Sequence, residues 1–469
     1  MSCSLLDLVN SPVNDSTMTT SQVSSTEPVT QPTNSSGDLV DYLAQPGDTV
    51  PALAVHFNTT EFDIRAANPD LPENVTTMPP GLLLKIPIQY LSIWGTPYQI
   101  VPDNIFINGP LSVNFKTNEF IAGYPGWLKD HRSYAGGLTR SGAEIIDLVA
   151  LNFSISSQML LTLLEFQTHA LTSPLQPEDK YMLGYVDVQH EGLYLQLVWA
   201  ANILNNGYYG WRSGHITTFE HPDGKFERPY PWQNAATVAI QAYFMDKPEN
   251  DFAFATGPNG MAKTFKDLFG DPWEVQEPHI PANLQQPDLL LPFKTGETWS
   301  LTGGPHSGWG SLEPYAAIDF APPENIGICQ TSKFWATAVA AGVIARSETG
   351  IVILDLDGDG DERTGWNIFF LHIATDDRIA SGSIVSAGDA IGHPSCEGRG
   401  VLANGTHIHI ARKYNGEWIP ADGALAFNLD GWVAHAGLEQ YLGRLTRGSE
   451  TITACKGCTN PASRITAGE

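Results

Sequence analysis

The chain has 469 residues, a length that calls for several domains and allows large buried cores. Its 51 acidic residues against 25 basic ones leave a formal charge of −26, which repels phosphate backbones and argues against nucleic acid as a partner. Only 16% of residues are charged, while 44 Gly, 33 Pro, 12 Trp, 15 Tyr and 20 Phe describe a turn-rich, aromatic globular protein with a polar surface suited to neutral ligands such as glycans.

No run of 18 apolar residues occurs, so no transmembrane segment is expected. Met1-Ser-Cys-Ser carries neither the basic nor the long apolar segment of a secretory signal. Cys3, ahead of a Ser/Thr-rich stretch, stands where a lipid-bearing cysteine would stand after signal removal; an incidental free thiol explains it equally simply. Residues 1–37 are expected to form a disordered Ser/Thr/Pro-rich linker, because from residue 11 onward almost no large apolar side chain is present to offset the entropy of ordering.

From Val40 to Pro87 the pattern predicts strand, helix, helix, strand. Pro46-Gly47-Asp48-Thr49 forms the first turn, Pro51 sits harmlessly in the first helical turn, and Leu53, Ala54 and Phe57 make a buried stripe. The second helix is expected to turn Phe62, Ile64 and Ala67 inward and to end at Asn68-Pro69. With the closing PGLLLKIP strand, this unit (38–88) resembles a lysin motif. That resemblance implies a shallow groove for N-acetylglucosamine-containing polymers, formed by Gly47, Asp48, Thr49, Asn68 and Pro69. As turn formers and caps, the same residues also have a purely structural reading.

Residues 95–280 read as an all-helical domain. Ser141 to Glu144 is a capping box opening a helix, and apolar helices follow near 156–166, 192–209 and 234–244. The segment SISSQMLLTLLEFQ faintly resembles the helix that carries the catalytic acid of lysozyme-like transglycosylases, which would make Glu165 a glycosidic acid. Gln167 and Thr168 depart from that family's pattern, and a solvent-side or ion-paired Glu165 accounts for the residue as well. A Pro-rich connector spans about 278–298.

Beyond it lie short β-rich runs and the informative histidines. Thr406-His407-Ile408-His409 falls on an alternating strand, so both imidazoles point to one face. His372 ends another strand, His306 lies on a turn, and Asp319 sits in the strand Ala317-Ile-Asp-Phe. Two His and one Asp with an open fourth position suit a hydrolytic zinc. With Ala387-Gly388-Asp-Ala-Ile-Gly392 and Gly405-Thr-His407-Ile-His409, residues 290–427 resemble the lysostaphin-like zinc endopeptidases that cut peptides of bacterial peptidoglycan. The resemblance implies one Zn2+ held by His306, Asp319 and His409, with His407 as general base and His372 stabilising the developing oxyanion. It also departs from the family: twelve residues rather than three separate His306 from Asp319, and Glu313 within that insert could compete as a ligand.

Asp355 to Glu362 resembles the opening of a Ca2+ loop, although Trp366 replaces the glutamate expected at its twelfth position; an acidic turn between two strands is the simpler reading. Cys329, Cys396, Cys455 and Cys458 are compatible with two disulfides in an oxidising compartment, and Cys455-Lys-Gly-Cys458 also has the spacing of half a zinc knuckle. Given the peptidase resemblance, Cys329 and Cys396 are placed to bridge loops around the groove, and Cys455 with Cys458 to close a β extension over 428–469.

The expected architecture is therefore a multidomain α+β chain: a small βααβ lysin motif, an all-helical middle domain and a C-terminal antiparallel β-sheet zinc peptidase domain. The expected activity is peptidoglycan endopeptidase, at the cell envelope or outside the cell. A catalytically inert wall-binding or hydrolase-activating protein, or a bifunctional enzyme with a glycan-cleaving helical domain, are the alternatives.

Overall fold

The computed structural model describes residues 37–275, 277–324, 329–398 and 405–468. The linker reading of 1–36 and the question of Cys3 lie outside them. No helix among the described residues is long and apolar enough to cross a membrane.

The first unit runs β1 (Leu39–Leu43), α1 (Val50–His56), α2 (Glu61–Ala67) and β2 (Leu83–Pro87), with β1 and β2 antiparallel. Thr49 and Thr60 cap the two helices, each accepting from the amide three residues on. Tyr42, Leu53, Phe57, Ile64 and Ile86 form its core, which Trp94 and Tyr230 complete from the next segment. Phe62, expected inward, is instead 78% exposed; the helix is only seven residues long and Ile64 alone is buried on it.

The middle segment comprises α3 (Asp103–Phe106), α4 (Thr117–Ala122), β3 (Arg132–Ala135), β4 (Leu138–Ser141), α5 (Gly142–Phe153), α6 (Ser157–Thr168), α7 (Leu193–Arg212), β5 (Phe219–Glu220), β6 (Phe226–Glu227), α8 (Ala235–Phe244), α9 (Glu249–Thr256) and α10 (Met261–Phe269). The all-helical expectation is thus corrected: two short hairpins, β3–β4 and β5–β6, interrupt the helices, with strands of four and two residues too short to show a strand period. The Ser141–Glu144 capping box is present at the start of α5.

The last segment holds β7 (Thr298–His306), β8 (Ala317–Ala321), β9 (Ala336–Thr337), β10 (Gly342–Glu348), β11 (Gly350–Asp355), β12 (Trp366–Ile373), β13 (Ile384–Val385), β14 (Ala390–Gly392), β15 (Ile408–Tyr414), β16 (Glu417–Trp418), β17 (Asn428–Leu429), β18 (Trp432–Ala436), β19 (Gly443–Arg447), β20 (Glu450–Thr453) and β21 (Arg464–Thr466). A nine-stranded sheet has the order β13-β10-β11-β12-β15-β8-β7-β21, with β16 beside β15. Strands β17 to β20 form a separate meander, and β21 returns to pair with β7.

Period-two alternation divides this sheet between two cores. Val352, Leu354, Ile368, Phe370, Ile408 and Ile410 face the C-terminal elements. Ile351, Ile353, Phe369, Leu371 and Ala411 face the helices and share one core with α5 to α8. Because both faces are buried, the central strands read as nearly continuous apolar runs, and any polar residue on them needs a partner.

Candidate metal centre

Asp319 of β8 lies directly opposite His409 of β15 and opposite Gly303 of β7, so strand register alone brings three chain segments to one point on the helix-facing side of the sheet. A Cβ at residue 303 would come within 2.6 Å of Asp319 Oδ2, so the glycine there makes room for the carboxylate. His306, at the end of β7 beyond a register shift, reaches the same point. His306 Nε2 lies 3.0 Å from His409 Nδ1, and each lies 3.3 Å from Asp319 Oδ1. All three side chains are buried.

Backbone carbonyls fix what these nitrogens present. His306 Nδ1 faces Gly304 O at 2.8 Å and His409 Nε2 faces Gly308 O at 3.0 Å, so each ring donates outward and turns a lone pair inward. Asp319 Oδ1 is buried and accepts no hydrogen bond. Three acceptors facing one another at hydrogen-bond distance without a donor need a cation between them. A tetrahedral zinc with bonds of about 2.0–2.1 Å sets its ligands about 3.3 Å apart, so the donor set fits. Burial pushes the Asp319 carboxyl up, but positive charge at His306 and His407 outweighs it and holds it well below the carboxylate range, so the carboxylate is the form that meets a cation placed among these rings. Burial pushes His409 down, keeping its ring neutral as a ligand must be.

The other two expected residues flank this centre. His407 donates from Nδ1 to Gly405 O at 2.8 Å, and its Nε2 lies 3.7 Å from Asp319 Oδ2. His372 follows Leu371 on β12, so alternation would send it to the opposite face. A φ of 68° turns it back instead, and its ring stands 4.6 Å from that of His407. His372 Nδ1 donates to Glu397 O at 2.9 Å; burial, with His407 and His409 nearby, lowers it to about 3, so the ring stays neutral. The five residues open onto a cleft of about 1770 Å3, where Tyr441 stacks on His306 at 4.1 Å. Tyr441 and Gly303 carried no motif that marked them in the sequence.

The insert between His306 and Asp319 has a visible use. Glu313 is not a ligand, because its carboxylate pairs with His215 at 2.6 Å and accepts from Tyr315 N. Trp309 enters the helical core beside Phe153, and Ser311 N donates to Asn202. The extra residues carry the loop to the helices and bring back Gly308 O to orient His409.

Other expected sites are occupied by their own chain. Glu165 is buried and accepts from Leu171 N, Thr172 N and Thr172 Oγ1, so it closes the turn after α6 rather than standing free as an acid. Asp355, Asp357 and Asp359 cluster at the β11–β12 turn, but they accept from loop amides, including Asp357 N, Gly360 N and Asp361 N. The disulfides Cys329–Cys396 and Cys455–Cys458 are formed.

At the first unit, Thr49 caps α1 and the Asn68 amide bonds Lys85 N and O on β2, while Pro69 is exposed. Asp48 is buried, accepting from Tyr42 Oη and Gln45 N. Arg212 of α7 lies against Gly47 and donates to Pro46 O, leaving a cavity of about 10 Å3. The connector meets the other wall of the expected groove, with Thr76 and Thr77 bonded to Leu284 and Pro281. In this arrangement Arg212 covers part of the turn, while Pro69 stays exposed.

Residues 99–283 match the family model of the LasA N-terminal domain. No curated protein matches the chain. Among solved structures it is similar to pseudoalterin, an M23 metalloprotease from the deep sea, at 21% identity over 36% of this chain and 96% of that one, with a TM-score of 0.31. The catalytic domain of lysostaphin from Staphylococcus simulans aligns at 18% identity over 28% and 89%, with a TM-score of 0.18. A zinc-containing peptidase from Vibrio cholerae aligns at 16% over 31% and 37%, also with a TM-score of 0.18. With TM-scores this low, the chemistry of the site rests on its own geometry.

Proposed function

We propose that the chain is a zinc-dependent endopeptidase acting on peptide bonds of bacterial peptidoglycan at the cell envelope. The observation that carries the reading is the convergence of three unpartnered lone pairs, from His306, Asp319 and His409, beside two further imidazoles on one cleft. Zinc bound there would polarise a scissile carbonyl and lower the pKa of a water towards neutrality. His407, its Nδ1 proton held by Gly405 O, is set to receive a proton at Nε2 as general base. His372 in its present tautomer accepts at Nε2, which positions a water; donation to an oxyanion requires proton uptake at that atom.

The test is metal analysis of the purified protein together with mass spectrometry of fragments released from peptidoglycan. Stoichiometric zinc, chelator-sensitive release and new amino termini are expected. New sugar ends would favour glycan cleavage, and metal-loaded protein that releases nothing would favour an inert binder.

Wall attachment through residues 38–88 is the second part of the proposal. With the turn covered by Arg212, contact through Gly47, Asp48, Thr49, Asn68 and Pro69 requires this unit to move off the helices. Sedimentation with insoluble peptidoglycan should therefore rise in Arg212→Ala and vanish when 38–88 is deleted. Equal sedimentation of all three proteins would overturn attachment without touching the peptidase reading.

A further inference from the structure

One wall of the cleft is built by the chain that follows the zinc-site strands. The turn closed by Cys455–Cys458 is fastened to β7, with Cys455 N donating to Leu301 O and Gly457 N to Thr302 O. This sets Lys456 beside Thr302, one residue before the Gly303 that faces Asp319. Two positions further along β7, Ser300 pairs with Arg464 of β21. Ile465 is buried in the core behind the sheet, so alternation turns Arg464 to the cleft side, where Thr298, Ser300 and Thr302 also point. Both cations line the cleft and are exposed. The Lys456 ammonium stands 5.6 Å from the Tyr441 ring centroid, on a tyrosine whose ring stacks on His306.

Among the described residues neither Lys456 nor Arg464 has a carboxylate partner within ion-pair distance. In a chain of charge −26 that is an unusual place for two unpaired cations. The rim carboxylates do not supply one. Glu324 is turned to Ser332 and Lys333 of its own loop, and Glu439 lies on the turn before Tyr441 without pairing to either cation.

We infer that Lys456 and Arg464 form a carboxylate-binding subsite that selects peptide substrates bearing an acidic group away from the scissile bond. The inference rests on the endopeptidase reading of the same cleft. The backbone positions of the two cations lie two residues apart along β7, roughly 7 Å, and their offset from Asp319 places the carboxylate about two to four extended residues from the bond that is cut. The hydroxyls of Ser300 and Thr302, on the strand that lies between β21 and the Asp319 strand, offer hydrogen bonds to the intervening peptide. Substrates neutral at those positions are cut without this selection.

The experiment is digestion of a random peptide library by the zinc-loaded full-length protein, with cut sites read by mass spectrometry. Wild type, Arg464→Gln, Lys456→Gln, the double variant and Arg464→Lys are compared. Wild type should enrich Asp, Glu or a C-terminal carboxylate at one position on one side of the cut by about two- to fivefold, the range expected for exposed ion pairs. The double variant should lose that enrichment through a raised KM for acidic peptides, keep its kcat, and cut neutral peptides at the wild-type rate, while Arg464→Lys retains most of the selection. Absence of acidic enrichment in wild type, its survival in the double variant, or an equal loss on all peptides would overturn the subsite. Zinc-loaded wild type that cuts no peptide at all would overturn the endopeptidase reading instead.

Discussion

Strand β15 presents His409, Ala411 and Lys413 to the same side of the sheet, with His407 just before it, and its two ends solve the problem of buried polarity in opposite ways. At the Lys413 end, the ammonium meets Glu362 at 3.4 Å, and Glu362 meets Arg346 at 2.6 Å. Asn152 Oδ1 accepts one further donor from Arg346, and Leu151 O one from Lys413. Every charge there faces its opposite, and the cluster fastens the sheet to the helices. At the histidine end, three acceptors face one another and their ring N–H groups are already committed to Gly304 O and Gly308 O. A structural cluster closes on itself; a ligand site keeps its complement outside the chain.

The largest effect should come from emptying the histidine end. His409→Ala or Asp319→Asn should remove zinc and bring hydrolysis to background together. Chelation should lower the melting temperature of wild type, since a ligand at 1,000 times its Kd stabilises by about 4 kcal/mol, and should leave His409→Ala unmoved. Retention of stoichiometric zinc by His409→Ala would show that the three acceptors are not the ligand set. His407→Ala should separate the functions: zinc stays, as measured by metal analysis, while kcat falls by about 10²- to 10⁴-fold. A fall in zinc matching the fall in kcat would make His407 a ligand and not a base.

The contrast also explains what could be read in advance. His407 and His409 were legible because i, i+2 spacing on a strand puts two imidazoles on one face, and Asp319 because its flanking Ile and Phe match the pattern of the peptidases that this segment resembles. Glu313 stayed open as a ligand because nothing local shows that its loop is held by His215, 98 residues away. The return of His372 to the cleft depends on one left-handed backbone angle, which a residue type does not announce. Nothing in the sequence marks Arg346 or Lys413, and Glu362 shows there only as the end of an acidic turn, since single charges among apolar residues carry no periodicity; their partners are set by tertiary contact. The covering of Gly47 and Asp48 by Arg212 was hidden for the same reason, with 165 and 164 residues separating them.

The structural end should break differently. Glu362→Gln leaves Lys413 and Arg346 buried without their counter-charge and should cost about 3–5 kcal/mol of stability, measured by denaturant unfolding. Zinc per folded protein should not change. Loss of zinc in step with stability would mean that the two ends of β15 are one cooperative unit.

The smallest effect is a pH slope at the same end. Burial lowers the Lys413 ammonium from 10.5 to about 8, with Glu362 offsetting only part of the shift and Arg346 adding to it. Between about pH 8 and 10.5 the unfolded chain therefore binds more protons at this residue than the folded one, and stability contributed by Lys413 rises with pH through that window. At 1.36 kcal/mol per unit the gain is about 1–3 kcal/mol, and it saturates once the unfolded lysine also loses its proton. Lys413→Met keeps the length of the stem and removes the titration, so the difference between wild type and variant isolates this slope from the other lysines and tyrosines that titrate in the same range. Urea unfolding of both proteins at pH 7.5, 9 and 10.5 measures it. Wild type should gain on the variant across the series. A constant difference would mean that Lys413 keeps its proton as firmly in the fold as in water, with Glu362 neutralising it completely, and the tie between sheet and helices would then be insensitive to alkali.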